Sequence, residues 1–128
     1  MNLLKAGWIQ SKTLAIGWLL LMCFLFVMPG TNLPKGGWWV DIQLDKIVHI
    51  GLFAGLIFLW ASAFELHLPA TKWIVLVLAV LYGTLVELVQ KQWIPNRSFD
   101  VYDIIADAAG AVLGLFVWLR VYKKNKPL

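Results

Sequence analysis

The chain has 128 residues, of which 61% are hydrophobic and 14% charged, with a formal net charge of +4. Soluble domains are about 45–50% apolar and about 25% charged, so a mean hydropathy of +0.77 excludes an ordinary soluble core and points to an integral membrane protein. A single cysteine, Cys23, excludes an internal disulfide, and the basic residues gather at the ends of apolar runs, where lipid headgroups rather than nucleic acid are the neighbours.

The first run, Thr13 to Met28, is almost unbroken and is stopped by Pro29-Gly30. It has the look of a signal-peptide core, but no A-x-A-like site follows it and three more apolar runs do. It reads as a retained first transmembrane helix, about 13–28. Pro29, Gly30, Asn32, Pro34, Gly36 and Gly37 make the next stretch a loop. Trp38-Trp39 within it belongs at the headgroup level.

A second helix is expected over about 45–64, with Asp41 or Asp45 as its cap. A tight connection, which holds Glu65 and a solvated His67, leads to a third helix over about 72–93, capped by Thr71. Pro95-Asn96 ends it. Ser98 is the expected cap of a fourth helix, about 99–122, with Asp100 in its first turn and a basic tail beyond. The expected fold is therefore all-α: a single-domain integral membrane bundle of four transmembrane helices. Several runs fall a little short of the ~20 residues that a perpendicular span needs, which suggests that their polar ends dip below the surface in shelter.

Four spans put both termini on one side. That side carries seven basic residues, Lys5, Lys12, Lys72, Arg120, Lys123, Lys124 and Lys126, against four on the other, Lys35, Lys46, Lys91 and Arg97. The excess places both termini in the cytoplasm. Six of the seven acidic residues then belong to the outer half: Asp41, Asp45, Glu87, Asp100, Asp103 and Asp107.

The acids of the fourth helix are spaced i, i+3, i+7, so Asp100, Asp103 and Asp107 share one stripe, which Gly110 and Gly114 continue. A charge facing acyl chains costs about 2.5–3.5 kcal/mol on insertion scales, so the stripe must face protein, water or an ion. On the second helix Asp45 and His49 share a face, with Lys46 turned away by about 100°. On the third, Gly83, Glu87 and Gln90 form a stripe. Gly51, Gly55, Gly110 and Gly114 let helices approach closely. Arg97, which cannot shed its charge, either favours a bidentate carboxylate or phosphate partner or is an interfacial anchor beside Pro95 and Asn96.

Asp45-Lys46-Ile47-Val48-His49, Glu87-Leu88-Val89-Gln90 and Arg97-Ser98-Phe99-Asp100-Val101-Tyr102-Asp103, with Pro29-Gly30 before them and Gly110 and Gly114 after, resemble the VanZ-like membrane proteins. The resemblance covers about residues 15–118. It implies a protein of the bacterial envelope, in the cytoplasmic membrane, in a family named for a protein linked to teicoplanin resistance. That family often has Asn where this chain has Asp107, which implies a neutral hydrogen-bonding role there rather than a required anion.

Three functions remain open on the residues. In the first, an outward-facing pocket lined by Asp45, Lys46, His49, Glu87, Gln90, Arg97, Asp100, Asp103 and Asp107 binds an envelope lipid, a cell-wall lipid precursor or a lipophilic glycopeptide. In the second, the protein is an enzyme acting on a lipid-linked phosphate, with His49 or Asp103 as general base. In the third, the polar cluster only locks a structural subunit together. The sequence has no catalytic-triad, CxxC, H-E-x-x-H or phosphate-loop motif, since Ser98 serves as a cap. No cofactor is evident. A hard divalent cation among Asp45, Glu87, Asp103 and Asp107 is chemically allowed, because oxygen ligands suit Mg²⁺, Ca²⁺ or Mn²⁺.

Overall fold

A computed structural model describes residues 11–28, 44–64, 69–94 and 99–125, without the side chains of 44, 45, 69 and 122–125. The expected features at Pro29, Gly30, Trp38, Trp39, Asp41, Glu65, His67, Pro95, Asn96, Arg97 and Ser98 lie outside the described residues, as does the side chain of Asp45. The described residues form four helices: α1 (Lys12–Val27), α2 (Leu44–Phe64), α3 (Pro69–Trp93) and α4 (Val101–Asn125). The all-α bundle expected from the sequence is what the chain forms.

Several helix ends differ from expectation, and three of the starts have a local reason. Ser11 caps α1, its hydroxyl accepting from the Leu14 N–H at 3.4 Å. α3 begins at Pro69 rather than at Lys72 behind Thr71. Proline suits the first helical position, where its missing N–H would have no partner and its fixed φ is already helical. α4 begins at Val101, and the residue that caps it is Asp100: its Oδ1 accepts from the Tyr102 N–H at 2.9 Å. Aspartate caps as well as serine does.

α2 and α4 make the most extensive helix contact, followed by α3 with α4 and α1 with α2. Glycine makes the first of these possible. A β-carbon on Gly110 would collide with the backbone of Ile50, and one on Gly114 with the backbone of Ala54. Gly55 instead lies under the Trp18 ring of α1, where a β-carbon would stand 2.8 Å from Cζ2. The same indole donates from Nε1 to the Leu52 carbonyl at 3.0 Å. Gly51, expected to serve close approach, faces open space.

The core is a small set: Met22, Phe26, Phe53, Leu56, Ile57, Ala61, Ala79, Ala111, Leu115 and Trp118. Far more large apolar side chains point outward, among them Leu20, Phe24, Ile74, Leu78, Leu85, Val112 and Phe116. A surface this apolar needs a covering. α2, α3 and α4 are each long and apolar enough to cross a membrane, while α1 is apolar but shorter. A bilayer supplies the covering.

Candidate functional site

The start of α4 is tied to both of its neighbours through one residue. Asp100 caps its own helix with Oδ1, while its Oδ2 takes the Lys46 ammonium of α2 at 2.6 Å. Its backbone N–H donates to Glu87 Oε2 of α3 at 3.0 Å. Lys46 Nζ also lies 2.7 Å from Asp103 Oδ1, as an ion contact whose angle is not that of a directed hydrogen bond. The Lys46 ammonium beside it, aided by the cap bond from Tyr102, holds the Asp100 carboxyl below the usual carboxylate range.

One turn deeper, His49 Nδ1 stands 2.6 Å from Asp107 Oδ1, both residues being buried. With Asp107 ionised and so only an acceptor, Nδ1 carries the proton and, in the neutral ring, Nε2 is left with its lone pair. Nε2 faces Asp103 Oδ2 at 3.8 Å, too far for a hydrogen bond. Glu87, fully buried, uses one oxygen on Asp100 and leaves Oε1 without a directed hydrogen bond. One ligand atom from each of His49, Glu87 and Asp103 falls within 4.8 Å of the others. The Phe26 ring of α1 closes this end of the bundle against His49, with centroids 5.2 Å apart.

The structure thus brings Lys46, His49, Glu87, Asp100, Asp103 and Asp107 together from three helices. Gln90 is not among them: it turns to α1 and donates from Nε2 to the Phe26 carbonyl at 2.9 Å. Lys46 joins where the sequence reading had turned it away from Asp45. It lies one helical turn before His49, so the two share the inward face. Arg97 and the side chain of Asp45 lie outside the described residues.

Sequence reasoning missed two contributors, Phe26 and the Asp100 N–H, and did not see what Gly83 is for. Phe26 had no signal beyond its hydrophobicity. The Asp100 N–H serves Glu87 only because α3 and α4 meet there. Gly83 was legible as part of a stripe, and its purpose is steric: a β-carbon there would stand 2.6 Å from Asp107 Oδ2.

No curated protein and no solved structure matches the chain significantly. A family model described as VanZ/LLP1 matches residues 6–122. That span takes in α1, α2 and α3 whole and nearly all of α4, including every residue of the cluster. The chain is a membrane protein of the VanZ/LLP1 family.

Proposed function

We propose that this is a bacterial envelope protein of the cytoplasmic membrane, both termini inside, that lowers sensitivity to a lipophilic glycopeptide of the teicoplanin type. It does so by engaging an anionic envelope lipid, a cell-wall lipid precursor or the drug itself in a polar pocket of its outer half. One observation carries the reading: Lys46 is held between Asp100 and Asp103 at the same end of the bundle as His49 and Glu87. An ammonium at the end of an otherwise apolar bundle is a partner for a phosphate or carboxylate headgroup, which would take the place of one of its two acids. The neighbouring acids suit the amine of an aminated lipid or drug.

The test is expression in a teicoplanin-sensitive bacterium. Resistance should rise with the wild-type chain and fall back with Lys46→Met at equal amounts of folded protein in the membrane. If Lys46→Met retains full resistance, the pocket reading is wrong. If every cluster variant loses folded yield in step with resistance, the cluster is structural only. Reporter fusions at residue 128 and within residues 30–37 fix the orientation, and an external residue 128 overturns it.

A second reading, an enzyme acting on a lipid-linked phosphate, draws on the His49–Asp107 pair. That pair leaves Nε2 as a base beside Asp103. Lipid profiles decide it, because only an enzyme leaves a new product.

A further inference from the structure

We infer that His49, Glu87 and Asp103 form a site for one divalent transition-metal ion of the Zn²⁺ or Mn²⁺ kind, with Asp107 as the residue that orients His49. His49 and Glu87 each have one atom held by the protein and another turned toward Asp103. His49 spends Nδ1 on Asp107 and keeps Nε2. Asp103 has Oδ1 beside Lys46 and turns Oδ2 toward Nε2. Glu87 spends Oε2 on the Asp100 N–H and keeps Oε1. His49 and Glu87 are each held at one atom, Asp103 stands beside Lys46 and within hydrogen-bond reach of Glu87, and donors held in this way are how a protein prepares metal ligands.

The charges ask for a cation. Glu87, Asp100, Asp103 and Asp107 are four carboxylates gathered around one ammonium, Lys46, and one imidazole. Buried anions in excess are costly unless a cation or protons balance them. Glu87 Oε1 is buried and accepts no directed hydrogen bond. A divalent ion bound at Nε2, Glu87 and Asp103 would satisfy it.

The chemistry of the donors narrows the ion. One imidazole nitrogen with two carboxylates suits Zn²⁺ or Mn²⁺ better than Mg²⁺ or Ca²⁺, which prefer oxygen throughout. Metal–ligand distances of about 2.0–2.2 Å place neighbouring donors roughly 3–4 Å apart. His49 Nε2 and Asp103 Oδ2 stand 3.8 Å apart, and one ligand atom from each of the three residues falls within 4.8 Å of the others, so side-chain rotations suffice to close the site. Of the all-oxygen set weighed in the sequence, Glu87 and Asp103 remain as ligands, Asp107 moves behind His49, and the side chain of Asp45 lies outside the described residues. The site stands on its own geometry and does not depend on any envelope ligand.

The probe is Co²⁺, followed by Zn²⁺, added to the purified full-length protein in detergent after chelator treatment. One equivalent of Co²⁺ per chain should produce visible absorption bands that Zn²⁺ abolishes. His49→Ala and Glu87→Gln should lose them. Asp107→Asn should keep the stoichiometry and bind about 10–100-fold more weakly, while His67→Ala behaves as wild type. The wild-type protein also supplies a test that no misfolded variant can spoil: Zn²⁺ should shift the ¹⁵N resonance of His49 Nε2 far more than that of Nδ1. A wild-type chain without saturable binding at one ion per chain, unmoved His49 resonances, or binding unchanged in both His49→Ala and Glu87→Gln overturns the site. Because the readout uses neither drug nor lipid, its failure leaves the envelope-binding reading standing, and the reverse also holds.

Discussion

Gly83 and Asp107 claim the same space: a β-carbon on Gly83 would lie 2.6 Å from Asp107 Oδ2 and 3.2 Å from its Cβ. The absence of a side chain on α3 is what lets the carboxylate of α4 turn toward His49 on α2. Gly83→Ala should therefore push Asp107 off His49. Overpacking of this kind costs about 1–3 kcal/mol, to be read as a lower melting temperature in detergent. An unchanged melting temperature would mean that Asp107 is free to move, and that the pair with His49 is not fixed by packing.

Gly110 and Gly114 should be less tolerant still. The atoms that a β-carbon would meet there are backbone atoms of Ile50 and Ala54, which cannot rotate aside. Alanine at either position forces α2 and α4 apart along their main contact, and the expected loss is at least as large as at Gly83. Gly51→Ala is the internal control. Nothing lies within 4 Å of its added carbon, so folded yield and melting temperature should hold or rise slightly, since alanine suits a helix better than glycine does.

At Asp107, charge and hydrogen bonding can be separated. Asp107→Asn keeps an oxygen to accept from His49 Nδ1, and should cost little stability. Asp107→Ala leaves a buried N–H without a partner, a loss of about 1–3 kcal/mol. Comparing the two melting temperatures measures the difference. Equal losses would show that the carboxylate's charge, rather than its hydrogen bond, is what holds the pair.

The Lys46–Asp100 pair makes stability depend on acid. The Asp100 carboxyl titrates below its ordinary range because of the Lys46 ammonium, so its folded value lies under its unfolded one. The contribution is complete above the unfolded value, near pH 4, and disappears as pH falls through the folded value. With side chains 18% and 33% exposed, water screens the pair and the effect is modest. Lys46→Met should flatten the acid limb of stability, as followed by melting temperature between about pH 6 and pH 3. A limb of unchanged slope would show that other carboxylates dominate acid unfolding.

Much of this arrangement could be read from the chain alone. Helix count, rough limits and the stripe of Asp100, Asp103 and Asp107 follow from periodicity, because one face of a helix is a local property. His49 and Glu87 stood out because polar groups in apolar runs need partners. What stayed hidden is relational. Gln90 sits on the same helix as Glu87, yet it clasps the Phe26 carbonyl rather than the cluster, a choice set by where α1 ends. The capping of α4 by Asp100 goes with its bonds to Lys46 and Glu87, partners on other helices. No local rule supplies those.

The brevity of α1 has a consequence for the lipid around it. Its 16 residues supply about 24 Å at 1.5 Å per residue, whereas the hydrocarbon layer is about 30 Å thick. Phe26, next to its last residue, rests on His49, so this helix stops at the depth where the charged side chains gather. Acyl chains beside α1 must shorten or splay to match it, each ångström of disparity costing a fraction of a kcal/mol. A bilayer that thinned to match α1 would bring its headgroups closer to His49 and its neighbours, so that a lipid need not be lifted from the membrane to meet them.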